Sequence, residues 1–101
     1  MELTINTASK RAYVQLKGTI DEAGAEELKT RIRQLHLDNL QELVFDFAAV
    51  KHIGSAGIGK LLLFYKDMAP RGGSLRIENA SAPIFDLLTT LKLDTIFIIS
   101  R

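Results

Sequence analysis

The sequence predicts one α/β domain over residues 1–101: a mixed β-sheet in the order β-β-α-β-α-β-α-β, with an antiparallel edge strand and helices packed mainly on one face. Two observations predict it. Apolar and polar residues alternate at the N-terminus with the period of half-buried strands, and three later segments repeat apolar residues every three or four positions, each as a single stripe. Strands joined through helices pair in parallel with right-handed crossovers, and a helix with one apolar stripe needs a flat apolar surface to lie on.

Leu3 and Ile5 alternate with Glu2, Thr4 and Asn6, and beyond a turn within Thr7 to Arg11 so do Ala12, Val14 and Leu16 with Gln15 and Lys17. These are two strands of a hairpin with one wet face. Asp21 supplies the side-chain acceptor that opens a helix, and Ala25, Leu28, Ile32 and Leu35 form its inner stripe. The run Leu43-Val44-Phe45, closed by Asp46 and Phe47, is expected to be a central strand covered on both faces or nearly so. Ile58, Leu61, Leu62, Tyr65 and Met68 mark the second helix, which Pro70 and Gly72-Gly73 end. Leu75 and Ile77 define another strand. Ser81 caps a third helix with the inner face Ile84, Leu87, Leu88 and Leu91, and Ile96 to Ile99 closes the sheet.

Composition narrows the function. Thirteen basic against twelve acidic residues give a net charge of +1, without the clustered basic stripe of a nucleic-acid binder. There is no cysteine, hence no disulfide framework, thiolate metal site or cysteine nucleophile. Met1 to Asn6 lacks the charged-then-apolar order of a signal peptide, and no window of about 18 uncharged apolar residues occurs. A cytoplasmic domain without membrane insertion is the expectation, with no metal and no cofactor.

The chemistry is concentrated in Val50-Lys51-His52-Ile53-Gly54-Ser55-Ala56-Gly57-Ile58-Gly59-Lys60, read as a glycine-rich loop leading into the second helix with Ser55 at its N-cap. A dianion on Ser55 would sit at the positive end of the helix dipole. Four readings compete. Gly54 to Lys60 satisfies the spacing G-x-x-x-x-G-K, yet Leu61 stands where a Ser or Thr would hold magnesium. The glycine gaps run in the wrong order for a dinucleotide fingerprint. A nucleophile elbow would need glycine in place of Ile53, and no acid is marked to orient His52 or His36 toward Ser55. The fourth reading makes Ser55 a plain helix cap and the glycines, Gly57 above all, devices for close packing.

Together with its flanks the loop resembles the STAS family of bacterial anti-sigma factor antagonists. Val14 to Asp21 with Ala25, Leu28 and Ile32 is similar to that family's second strand, G-x-[IL]-D turn and first helix. Asp46-Phe47, Val50, Ile53, Ser55, Gly57, Ile58 and Gly59 resemble its D-[LF]-x-x-V-x-x-[IM]-D-S-x-G-[IL]-G signature, and Leu91, Leu93 and Asp94 to Phe97 its last helix and strand.

The resemblance implies a binding module and no enzyme: an anti-anti-sigma factor that binds an anti-sigma factor with serine kinase activity, is switched off by phosphorylation of Ser55, and is restored by a phosphatase. The expected partner face is the Ser55 loop with the outward side of the second helix, Asp21, Gly54, Ser55, Ala56, Gly57, Lys60 and Phe64, on a monomer or weak dimer. The alternative is an unphosphorylated scaffold subunit of a transporter or signalling assembly. Two residues depart from the pattern: Gly54 replaces the family's Asp before the acceptor, and Lys92 replaces a glycine at the helix-to-strand corner.

Overall fold

The computed structural model describes residues 1–101. Strands β1 (Glu2–Ala8) and β2 (Arg11–Ile20) form the hairpin, followed by α1 (Glu22–Arg33), β3 (Glu42–Ile53), α2 (Ser55–Met68), β4 (Ser74–Glu78), α3 (Ala82–Thr90) and β5 (Ile98–Ile99). The five strands lie in chain order, β1 antiparallel to β2 and all other pairs parallel. Chain order explains why the helices share one face. Each crossover advances one strand in the same direction, and a right-handed crossover repeated in one direction always passes over the same side of the sheet.

The helix-covered face is the core. Ala12, Val14 and Leu16 of β2, Leu43, Phe45 and Phe47 of β3, and Leu75 and Ile77 of β4 point into it, against Ala25, Leu28 and Ile32 of α1, Leu61, Phe64 and Met68 of α2, and Ile84 and Leu88 of α3. Phe45 and Phe64 stack with centroids 6.0 Å apart at the centre. Burying each such side chain contributes about 1.5–3 kcal/mol.

β3 is covered on one face only, contrary to the expectation for Leu43 to Phe47. Asp46 is half-buried, and Val44, although 3% exposed, lies on the helix-free face between its register partners Tyr13 and Arg76. Strand neighbours shield Val44, and no second layer does. β3 also runs six residues beyond Phe47. The Asp46 carboxylate accepts from the Ala48 amide (2.9 Å), and β3 gains residues against β2 between Gln15 and Lys17 and again between Gly18 and Thr19. These bulges turn the buried positions into every third residue, Phe47, Val50 and Ile53.

Three further expectations are corrected. The hairpin turn is only Ser9-Lys10, both at positive φ (50° and 66°), as a two-residue type I′ turn requires. Leu87 lies outward on α3, 37% exposed, and Leu91, 49% exposed, caps its C-terminus, so the inner face is Ile84 and Leu88 alone. The closing strand is reduced to Ile98–Ile99 because a short 3₁₀ turn at Leu93–Thr95 precedes it, with Lys92 left-handed (φ 62°) at the corner. No helix is long and apolar enough to cross a membrane.

Candidate functional site

The site begins with two helices launched side by side. Ile20 and Ile53 are the last register partners of β2 and β3, and the Gly54 amide donates to the Ile20 carbonyl (3.0 Å). The next residues, Asp21 and Gly54, are therefore neighbouring N-caps of α1 and α2. Asp21 caps as expected, its Oδ1 accepting from the Gly24 amide at 2.8 Å. That oxygen serves α1 and is not free for Ser55.

The second cap differs from its sequence reading. Gly54, not Ser55, is the N-cap of α2, so there is no intervening glycine-rich loop: β3 ends at Ile53 and helix begins at Ser55. Ser55 occupies the first helical position, its residue exposed, with no side chain capping the helix. The first-turn amides of Ser55, Ala56 and Gly57 thus keep the donor capacity that a capping oxygen would otherwise occupy. With Ser55 to Lys60 helical, no loop of amides exists to wrap phosphates as a G-x-x-x-x-G-K motif would.

Gly57 is where two elements meet. A Cβ built on it would lie 2.8 Å from Ile20 Cγ2 and 2.8 Å from Ile53 Cγ1, two buried side chains at the strand ends. The absent methyl lets α2 drop onto the sheet beside the strand ends, which fixes where Ser55 emerges. Gly59 is exposed, and nothing lies within 4 Å of where its Cβ would be. Ser55 and Gly59, one turn apart, form a smooth outward strip at the start of α2.

Two expected partner-face residues are engaged elsewhere. Phe64 is fully buried and stacked on Phe45, so it belongs to the core and cannot meet a partner. The Lys60 ammonium lies 3.0 Å from Glu26 of α1, tying the two helices together. The same bond, reinforced by the Lys60 charge, holds the Glu26 carboxyl below its ordinary 4.5. Glu26 was visible in the sequence only as one of several outward charges on α1. Ala56 is half-buried beside Ser55, and Lys51 and His52 stand exposed just upstream.

No depression overlaps this surface. The largest, about 500 Å³, lies at the opposite ends of α1 and α2, between Arg33, His36, Lys66 and Arg71. The candidate site is thus an exposed serine at a helix start, outside the three depressions of the surface.

The model of the STAS domain matches residues 4–101, nearly the whole chain. The chain belongs to the STAS family. Among solved structures, an anti-sigma factor antagonist from Mycobacterium paratuberculosis superimposes with a TM-score of 0.85 at 24% identity, covering 99% of this chain and 85% of that one. The Bacillus anti-sigma factor antagonist SpoIIAA matches at 14% identity in both states: TM-score 0.85 unphosphorylated, covering 99% and 89%, and 0.78 phosphorylated, covering 99% and 92%. The STAS domain of a SulP transporter from Vibrio cholerae is less similar, at TM-score 0.66 and 20% identity over 88% of this chain and 70% of that one. At these identities the likeness establishes the fold. This STAS domain keeps Asp21, Asp46 and Ser55 and has Gly54 where the signature has Asp.

Proposed function

We infer that this STAS domain is an anti-sigma factor antagonist whose partner covers the start of α2, and that phosphorylation of Ser55 by that partner's serine kinase activity releases it. The supporting observation is the exposed Ser55 hydroxyl on the first turn of a helix that no side chain caps, set on a surface without a cavity. A phosphate there adds about −1.5 to −2 charges beside amides that favour negative charge, so the free domain tolerates it. Seated in a packed interface, the same charge loses its water and breaks the contact. Likeness to an antagonist solved both with and without phosphate is consistent with this reading.

Mass spectrometry of the domain after incubation with the cognate anti-sigma factor and ATP tests the switch. One phosphate is expected on the wild type and none on Ser55→Ala, and the modified protein should lose affinity for the anti-sigma factor. An unmodified wild type that still binds would refute the switch and leave the docking face standing.

A second reading, an unphosphorylated scaffold subunit, is favoured by Gly54, which removes the carboxylate that precedes the family's acceptor serine. Co-purification separates the two, since a transporter component and a kinase-type anti-sigma factor are different partners.

A further inference from the structure

β1 is an outer strand, paired with β2 over seven residues without a bulge. The two-residue turn makes Ala8 and Arg11 the hydrogen-bonded closing pair, so in the alternating ladder Leu3, Ile5 and Thr7 direct their N–H and C=O groups away from β2. No backbone hydrogen bond outside the ladders involves residues 2–8. The usual protections of an outer strand are missing: β1 contains no proline and no lysine, and no bulge twists it away. Its one charge, Glu2, sits at the end, 3.9 Å from Lys17. Leu3 and Ile5 are only half-buried at the rim of the core.

We propose that β1 pairs antiparallel with β1 of a second copy about a two-fold axis at Thr4, joining two sheets into one of ten strands. The register follows from the sequence of the strand. Centred on Thr4, each Leu3 faces Ile5 of the second copy, and these are residues whose N–H and C=O groups point outward, so both pairs exchange hydrogen bonds while covering apolar surface with apolar surface. Thr4 meets Thr4, and Glu2 meets Asn6, with no like charges opposed. Moving the axis to Ile5 sets Leu3 against Thr7 and Glu2 against Ala8; moving it to Leu3 removes the Leu3–Ile5 pairs. The strand complements itself best in the Thr4 register, which favours a second copy over a foreign strand.

Sedimentation equilibrium of the full chain tests this, with the mass expected to rise with concentration from one chain toward two. Thr4 is exposed, so Thr4→Lys and Thr4→Glu should fold like the parent, which circular dichroism melts will check. Each variant alone should stay monomeric where the parent is dimeric, because its charge meets a copy of itself, and an equimolar mixture should dimerise. Thr4→Cys adds a register test in a chain with no cysteine. Directly opposed, non-hydrogen-bonded residues lie about 4.5 Å apart, within disulfide reach. Oxidation should cross-link Thr4→Cys faster than Asn6→Cys, whose position is also exposed. A parent monomeric at every soluble concentration, a dimer indifferent to charge at position 4, or a charge-mixed pair that stays apart would each overturn the proposal.

Discussion

Replacing Gly57 by alanine tests whether α2 is seated where the structure places it. The added methyl would stand 2.8 Å from Ile20 Cγ2, 2.8 Å from Ile53 Cγ1 and 3.2 Å from Ile53 Cδ1. Both neighbours are β-branched and buried at the ends of strands, so neither rotates away freely. Overpacking of this kind costs about 1–3 kcal/mol, and two close contacts on rigid partners place Gly57→Ala in the upper half of that range. Alanine returns up to about 1 kcal/mol of helix propensity, leaving a net loss of about 1–2 kcal/mol. Gly59→Ala is the matched control: same helix, same substitution, nothing within 4 Å, and an expected gain of about 0.5–1 kcal/mol. At about 4–8 °C per kcal/mol for a domain of this size, the two variants should melt roughly 10 °C apart. In an Ile53→Ala background, which removes two of the three contacts, the penalty of Gly57→Ala should fall by about 1 kcal/mol in a double-mutant cycle. If Gly57→Ala melts at or above the parent, the close seating of α2 is wrong, and with it the account of how Ser55 is positioned.

Leu88→Ala should cost about 2–5 kcal/mol in urea denaturation because Leu88 is fully buried, whereas Leu87→Ala, at a 37% exposed position, should cost less than about 1 kcal/mol; equal losses would contradict the observed face of α3. Lys92→Gly should raise the melting temperature, since Lys92 holds φ 62° and a side chain in that region costs about 1–2 kcal/mol. Glu26 should titrate below 4.5 by NMR and return toward it in Lys60→Gln. Because its folded value is lowered, the Lys60 tie contributes stability above the ordinary carboxylate range and loses it as pH falls through the folded value. An unshifted wild-type Glu26 would show that the helices are not tied there.

The strand and helix order is legible because two periods dominate: alternation in β2, and a clear polar side in α1. Legibility fails where a segment is apolar on every side. In α2 one stripe runs Ile58–Leu61–Leu62–Tyr65–Met68 and another Gly57–Leu61–Phe64–Met68. The second is the buried one, but its first member is a glycine that hydropathy does not count. Hydropathy alone therefore leaves Phe64 on the outward side. α3, with Ile84, Phe85, Leu87 and Leu88 in one short helix and Leu91 at its C-cap, presents the same ambiguity. The strand preceding the site is hidden for a different reason. Once Asp46 bonds the Ala48 amide, β3 advances three residues for every two of β2, so Val50 and Ile53 follow neither period although they remain in the ladder. Periodicity alone therefore places Ser55 at the cap, one position short of the helical residue it is. The cap belongs to Gly54, and the hydroxyl is freer than a capping serine's would be.

The placement of β1 separates self-association from partner binding. Among the strands β1 borders only β2, α1 packs over β2, and α2 packs against α1 and β4. α1 stands between the outer strand and the body of α2, while at the Ser55 end Gly57 of α2 packs on Ile20 of β2, the strand next to β1. If the two-fold axis at Thr4 leaves the start of α2 uncovered in both copies, the dimer offers two identical docking faces. The two sites share no residue and are linked only through β2 and α1, so the expected coupling is small, and coupling free energy is reciprocal. Thr4→Lys should therefore leave the affinity of each domain for a monovalent anti-sigma factor unchanged, and Ser55→Asp should weaken that affinity while leaving the sedimentation mass unchanged. A bivalent partner would differ: with two faces held at fixed separation, its apparent affinity should fall sharply in Thr4→Lys through loss of the second attachment alone. A change in monovalent affinity on charging position 4 would mean that the outer strand and the Ser55 face communicate through α1, for which the Lys60–Glu26 tie is the contact to sever next.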